Sequence, residues 1–262
     1  MTGAVSRRGC GLALVVCLWG LLAGSVPSLA GETSYSRIFG THWVKARAYV
    51  RENASWMEAM AREAGVDPDL AVAVVFPELV RYDALRNRLE LTLLKALYVH
   101  YGDEYADFSV GRFQIKPSCA EKVLRELHHN GPRETAIYFR RLHRGLKEKE
   151  RRTAILRELE DPRTQYRYVL AILGILDRRF PCLAETPPIS RLRFYAAAYN
   201  SGFMNTETEI LRQRDEASFH TGVVRPRECH SYAAVAVAWY LENDPFDTLK
   251  EVIPDRTRPE GD

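Results

Sequence analysis

An unbroken apolar run, Leu70 to Phe76, ends in a proline and a carboxyl group, Pro77 and Glu78. Asp67 and Pro68 stand just ahead of it. Aspartate accepts backbone N–H groups as an N-cap, and proline is tolerated in a first turn, so the run reads as a helix starting there. A chain that buries this segment also buries a carboxyl group beside Val74, Val75, Phe76 and Leu79. Burial disfavours the charged form of an acid and raises its pKa. Pro77 removes a helical hydrogen bond and pushes Phe76 away from helical geometry. Glu78 is therefore expected to tip out of the helix line toward a cleft. The competing reading is a bent helix in which Glu78 forms an ion pair with Arg81. The two readings differ in sign, because a nearby positive charge lowers a carboxyl pKa.

Almost every other segment also reads as helix. Tyr166, Val169, Leu170, Leu173 and Leu176 recur at helical spacing, as do Tyr232, Val235, Ala236 and Trp239. Leu89, Leu93 and Leu97 mark another stripe, and Tyr49, Trp56, Met57 and Met60 an earlier one. These stripes read as core faces. No alternating strand stands out, with Phe108 to Ile115 the one stretch that reads as locally extended. His143 to Glu160 mixes both charge signs and reads as a solvated helix pair. Pro181 to Pro188 reads as a turn-rich connection. The expected fold class is all-α.

Two further stations follow Glu78. Gly111-Arg112-Phe113-Gln114-Ile115-Lys116-Pro117 is a glycine-led polar turn, and Ala198-Tyr199-Asn200-Ser201-Gly202 closes a small-residue helix. Gly111 permits a positive φ or a close backbone approach. Gln114 offers amide donors and a carbonyl acceptor that suit sugar hydroxyl and acetamido groups. Tyr199 can hydrogen-bond a carboxyl group, and Asn200 can reach a substrate. Read blandly, the same residues are a helix-entry turn and a packed helix with an asparagine cap.

Taken in order, the three stations resemble the lysozyme-like lytic transglycosylases, soluble enzymes that cleave bacterial peptidoglycan. In that family the catalytic Glu ends a helix that begins near a Val-Asp-Pro, matched here by Val66-Asp67-Pro68 and Glu78. The family's Gly-Leu-Met-Gln-Leu-Met-Pro type motif is matched by Gly111 to Pro117, and its Ala-Tyr-Asn by Ala198, Tyr199 and Asn200. A late tyrosine in its last helix is matched by Tyr232. The resemblance covers roughly Gly65 to Leu241. It implies a lysozyme-like helical domain with a substrate cleft and Glu78 as general acid, then base. Gly111, Phe113, Gln114, Tyr199, Asn200 and Tyr232 are the implied substrate-binding residues. The family usually places Ser directly after its Glu, where this chain has Leu79, and the stretch from Glu78 to Gly111 is longer than many members carry.

Cleavage of a glycosidic bond needs a group that is protonated near neutral pH to meet the leaving oxygen, and a glutamate free in water is mostly ionised there. Lysozyme meets the same need by setting its acidic glutamate in an apolar pocket. Hydrolysis commonly uses two carboxylates, whereas a lytic transglycosylase uses one. Asp83, Asp103, Glu104 and Asp107 are the candidates for a second.

The net charge of +3 includes Arg7 and Arg8 in a leader without acids, so no basic footprint for nucleic acid remains. Those arginines, the short apolar run Gly11 to Ala23 and Ser28-Leu29-Ala30 read as a secretory signal over residues 1–30. An uncleaved anchor is the other reading. No later segment is apolar enough to span a membrane. A periplasmic or secreted enzyme follows, with peptidoglycan glycan strands as partner and no metal or organic cofactor. Residues 31–64 read as an N-terminal extension, loose to residue 40 and helical from 41. Residues 65–245 read as the catalytic domain, and 246–262 as a polar tail. Cys119, Cys182 and Cys229 allow three single pairings, or three small apolar residues. Two rivals stand beside the transglycosylase: a hydrolytic muramidase or chitinase-like glycosidase on the same fold, and a non-catalytic glycan-binding envelope protein, which Leu79 favours.

Overall fold

The computed structural model describes residues 34–82, 88–130, 133–221 and 229–243. The expected signal segment and polar tail lie outside the described residues. Eleven α-helices carry the described part of the chain: α1 (Tyr35–Phe39), α2 (Thr41–Glu63), α3 (Pro68–Tyr82), α4 (Arg88–Tyr101), α5 (Pro117–Asn130), α6 (Arg133–Leu142), α7 (Glu148–Glu160), α8 (Pro162–Arg179), α9 (Pro188–Ser201), α10 (Glu207–Arg214) and α11 (Tyr232–Glu242). A 3-10 turn, Pro181–Glu185, joins α8 to α9. The molecule is mostly helical, in line with the all-α expectation. The strand content of the described residues is one antiparallel ribbon, β1 (Ala217–Phe219) with β2 (His230–Ser231), and an isolated bridge between Val110 and Ile115. That bridge lies within the stretch read as locally extended. The ribbon left no sequence signal, because strands of three and two residues are too short to show alternation.

Helix α3 organises the core. Its N-cap is Asp67, whose Oδ1 accepts the N–H groups of Asp69 at 2.9 Å and Leu70 at 3.2 Å. Every residue from Leu70 to Val80 is buried. A helix apolar on all sides needs neighbours on all sides, and α2, α8, α9 and α11 supply them. Phe76 is fully buried, edge-on to Trp43 of α2 at 4.8 Å and stacked on Trp239 of α11 at 5.1 Å between ring centroids. The Trp43 indole N–H donates to Glu242 at 3.2 Å, joining the same two helices by a polar contact.

The stripes in α8 and α11 are buried throughout. The α4 stripe is not, since Leu93 is exposed and Tyr98 is the fully buried residue. Residues 35–39 form a helix where a loose segment was expected. Phe39 anchors it, packing edge-on against Phe219 at 5.7 Å and His230 at 5.5 Å. The charged stretch read as a solvated helix pair is a turn followed by the single helix α7. That helix buries Ile155, Leu156, Glu158 and Leu159, and its abundance of charge masked this face.

Phe76→Ala leaves a cavity between two tryptophans at the centre of the helical packing. It is expected to cost about 3–5 kcal/mol in urea unfolding, and a loss below about 1 kcal/mol would show that α3 is not the centre of the core.

Candidate active site

Pro77 does not eject Glu78 from the helix. Helix α3 continues through Pro77 to Tyr82, contrary to the expectation that the chain tips out of line there. Proline has no N–H, so the Ala73 carbonyl loses its intrahelical donor. The next carbonyl, Val74, accepts the Tyr232 hydroxyl from α11 at 3.0 Å. Packing from four helices outweighs the local preference of one proline. Glu78 therefore reaches its cleft from within a continuous helix.

Glu78 is 4% exposed. Arg81, one turn on, places Nη1 3.3 Å from both carboxyl oxygens. Arg81 is held in turn, with Nε donating to the His220 carbonyl at 3.3 Å and its guanidinium carbon 4.5 Å from the Phe219 ring centroid. The ion pair and the buried acid, posed as alternatives by the sequence, are both present. Their balance decides the protonation state. Burial pushes the Glu78 carboxyl from its ordinary 4.5 up to about 7, while the Arg81 charge and a hydrogen bond with Tyr232 pull it back. Tyr232 has one hydroxyl hydrogen and two claimants for it. With that hydrogen on Val74, the phenol oxygen accepts from a protonated Glu78.

The second station is a turn whose backbone is held from both sides. Val110 N–H donates to the Ile115 carbonyl at 3.0 Å. Between them Gly111 has φ +71° and Gln114 φ +51°. A Cβ on Gly111 would lie 2.3 Å from the Leu159 carbonyl oxygen and 2.5 Å from the Gln165 side chain. Gly111 is therefore required by its positive φ and by close packing against α7 and α8. Gln165 of α8 is fully buried; its amide donates to the Val110 carbonyl and accepts the Phe113 N–H at 3.1 Å. The Tyr199 hydroxyl donates to the Phe113 carbonyl at 2.7 Å, instead of to Glu78 as the sequence suggested. Sequence reasoning missed Gln165. Its signal is its place four residues before Val169, a lone amide on the apolar stripe of α8.

A cleft of about 310 Å³ brings together Glu78, Gln114, Tyr199 and Asn200, one or more from each station. Phe113 does not join them: its side chain is fully buried, packed on Tyr166 at 5.5 Å between ring centroids. Gly111 and Tyr232 also stand behind the lining and support it. Gln114 Nε2 donates to the Gly111 carbonyl at 2.7 Å, which fixes the side chain across the turn. The far wall, Gly202 to Asn205, is clamped by Arg179, which donates to the carbonyls of Phe203, Met204 and Asn205. Of the candidate second acids, Asp107 lines the cleft, bonded to Lys116 at 2.6 Å and Ser118 at 3.1 Å. Asp103 and Glu104 are exposed outside it, and Asp83 lies outside the described residues.

Cys119 lines the cleft too, but burial pushes its thiol up to about 12, which leaves little thiolate at neutral pH. All three described cysteines are free thiols. Among the described residues, no group of three or more His, Cys, Asp or Glu is placed to hold a metal ion, and no helix is long and apolar enough to cross a membrane.

Between pH 4.5 and 7 the folded protein holds more protons on Glu78 than the unfolded chain does. Glu78 therefore makes stability fall as pH rises through that window and level off above it. The fall attributable to Glu78 is on the order of 3 kcal/mol. Urea unfolding of the wild type and Glu78→Gln across this range should give curves that diverge by that slope, and parallel curves would contradict the buried acid. Comparison of the chain with protein families, curated proteins and solved structures found no match.

Proposed function

We propose that this chain is a glycosidic-bond-cleaving enzyme with Glu78 as its general acid and base. The observation that carries the reading is a buried carboxyl near pKa 7, opening on a cleft with amide and phenol groups. General acid–base catalysis is most effective when the catalytic pKa lies near the working pH. Within this class, the ordered motifs favour a lysozyme-like peptidoglycan lytic transglycosylase that acts on the MurNAc–GlcNAc linkage.

In this reading protonated Glu78 gives its hydrogen to the glycosidic oxygen as the bond to the MurNAc C1 breaks. The departing GlcNAc leaves with a free C4 hydroxyl. The MurNAc C6 hydroxyl oxygen then bonds to C1 and returns its proton to the Glu78 carboxylate, closing an anhydromuramyl ring without consuming water. Arg81, 3.3 Å away, stabilises the carboxylate between the two transfers. Gln114 and Asn200 line the cleft, and their amides suit sugar hydroxyl and acetamido groups.

A hydrolase on the same site is favoured by one observation, Asp107 in the cleft as a second carboxylate. Its bonds to Lys116 and Ser118 fit a wall group better than a water-activating base. A non-catalytic glycan-binding role is supported by the Arg81 pair and by Leu79.

Mass spectrometry of products from purified sacculi separates the three readings. Transglycosylase action gives anhydromuramyl ends, hydrolysis gives reducing ends, and a binding protein releases nothing. Glu78→Gln should remain folded and lose about 10²–10⁴-fold in rate. Asp107→Asn should stay within a few-fold of wild type, and loss equal to Glu78→Gln would favour the hydrolase.

A further inference from the structure

A second cavity, of about 430 Å³, lies among α5, α6 and α7 and shares no lining residue with the Glu78 cleft. Its volume falls in the range of small-molecule sites, roughly 300–1,000 Å³. Leu124, Leu127, Phe139 and Ile155 give it an apolar lining. Arg125, Arg140 and Arg151 stand around the same space. One acid, Glu121, joins them, and it already accepts the Tyr98 hydroxyl at 2.6 Å. An apolar interior beside three guanidinium groups is complementary to a molecule with a hydrocarbon body and an anionic end.

One wall carries a braced histidine. His143 lines the cavity, and its side chain is 10% exposed. Its Nε2 lies 3.0 Å and 3.2 Å from the two Glu158 carboxyl oxygens, and Tyr168 donates to the same carboxyl group at 2.5 Å. The other ring nitrogen, Nδ1, is buried with no hydrogen-bond partner among the described residues. Buried polar atoms are rarely left unpaired, and each one that is asks for an explanation. His143 Nδ1 is that exception on the cavity wall.

We propose that this cavity is a binding site for a single-chain aliphatic carboxylate, with the chain against Leu124, Phe139 and Ile155 and the carboxylate among Arg125, Arg140 and Arg151. Charge-assisted hydrogen bonds from the guanidinium groups give the selectivity for an anion over a cation or a neutral head. The volume suits one medium-length chain, not a diacyl lipid. The site is independent of the glycosidase reading, because none of its residues is assigned to that chemistry.

Isothermal titration calorimetry of the full chain with decanoate, decylammonium and decyl maltoside, each below its micelle concentration, tests this. Decanoate should bind saturably, at least about ten-fold more tightly than either of the others. Arg125→Gln/Arg151→Gln changes two exposed side chains and should keep the wild-type circular dichroism and melting temperature, while weakening decanoate about ten-fold or more. Leu124→Trp, which fills the cavity, should abolish binding. Absence of saturable decanoate binding, equal binding of decylammonium, or an unchanged decanoate affinity in the double variant would each overturn the proposal.

Discussion

Complete burial of one helix governs both the stability and the chemistry of this protein. Helix α3 has no solvent face from Leu70 to Val80, so its neighbours must close around it. Four helices do so, and the aromatic contacts of Phe76 with Trp43 and Trp239 lock two of them in place. Glu78 is carried into this environment by its position alone. The apolar packing that stabilises the helix also raises the proton affinity of the acid. Loosening the core would therefore lower the proton affinity of Glu78.

The cleft itself is built by polar side chains that hold backbone. Gln165 and Tyr199 bind the turn around Phe113, and Arg179 gathers the carbonyls of residues 203 to 205. These three groups come from α8 and α9, whose other faces are core. A buried amide or guanidinium that satisfies several backbone groups fixes a loop more firmly than loop sequence can. In this way the walls around Glu78, Gln114 and Asn200 are set largely by side chains that α8 and α9 send to the backbone of the loops.

Periodicity made the helices legible where their apolar stripe was strong, as in α8 and α11, and the Asp67 cap marked the start of α3 correctly. It misled in α4, where Leu93 follows the stripe yet faces solvent, and in α7, where dense charge hid a buried face. Glu78, Gln114, Tyr199 and Asn200, which line one cleft, were legible as polar groups set against apolar or small neighbours. Three roles were not. Phe113 looked like a subsite residue from its motif position, but an aromatic ring is as well suited to the core, and only packing decides. Gly111 looked open to a sugar, but the space beside it is filled by the Leu159 carbonyl and Gln165, which come from distant parts of the chain. Pro77 looked like a break, and local propensity yielded to tertiary contact. In each case the deciding interaction is long-range in sequence.

The central claim is that burial, not the Arg81 pair, sets the charge of Glu78. Carbon-detected NMR titration of the Glu78 side-chain carboxyl measures this directly. A midpoint near 7, rising further in Arg81→Met, is the result expected from burial opposed by a neighbouring cation. A midpoint below 4.5 that rises only to the ordinary value in Arg81→Met would make Glu78 a structural ion-pair partner and contradict the account.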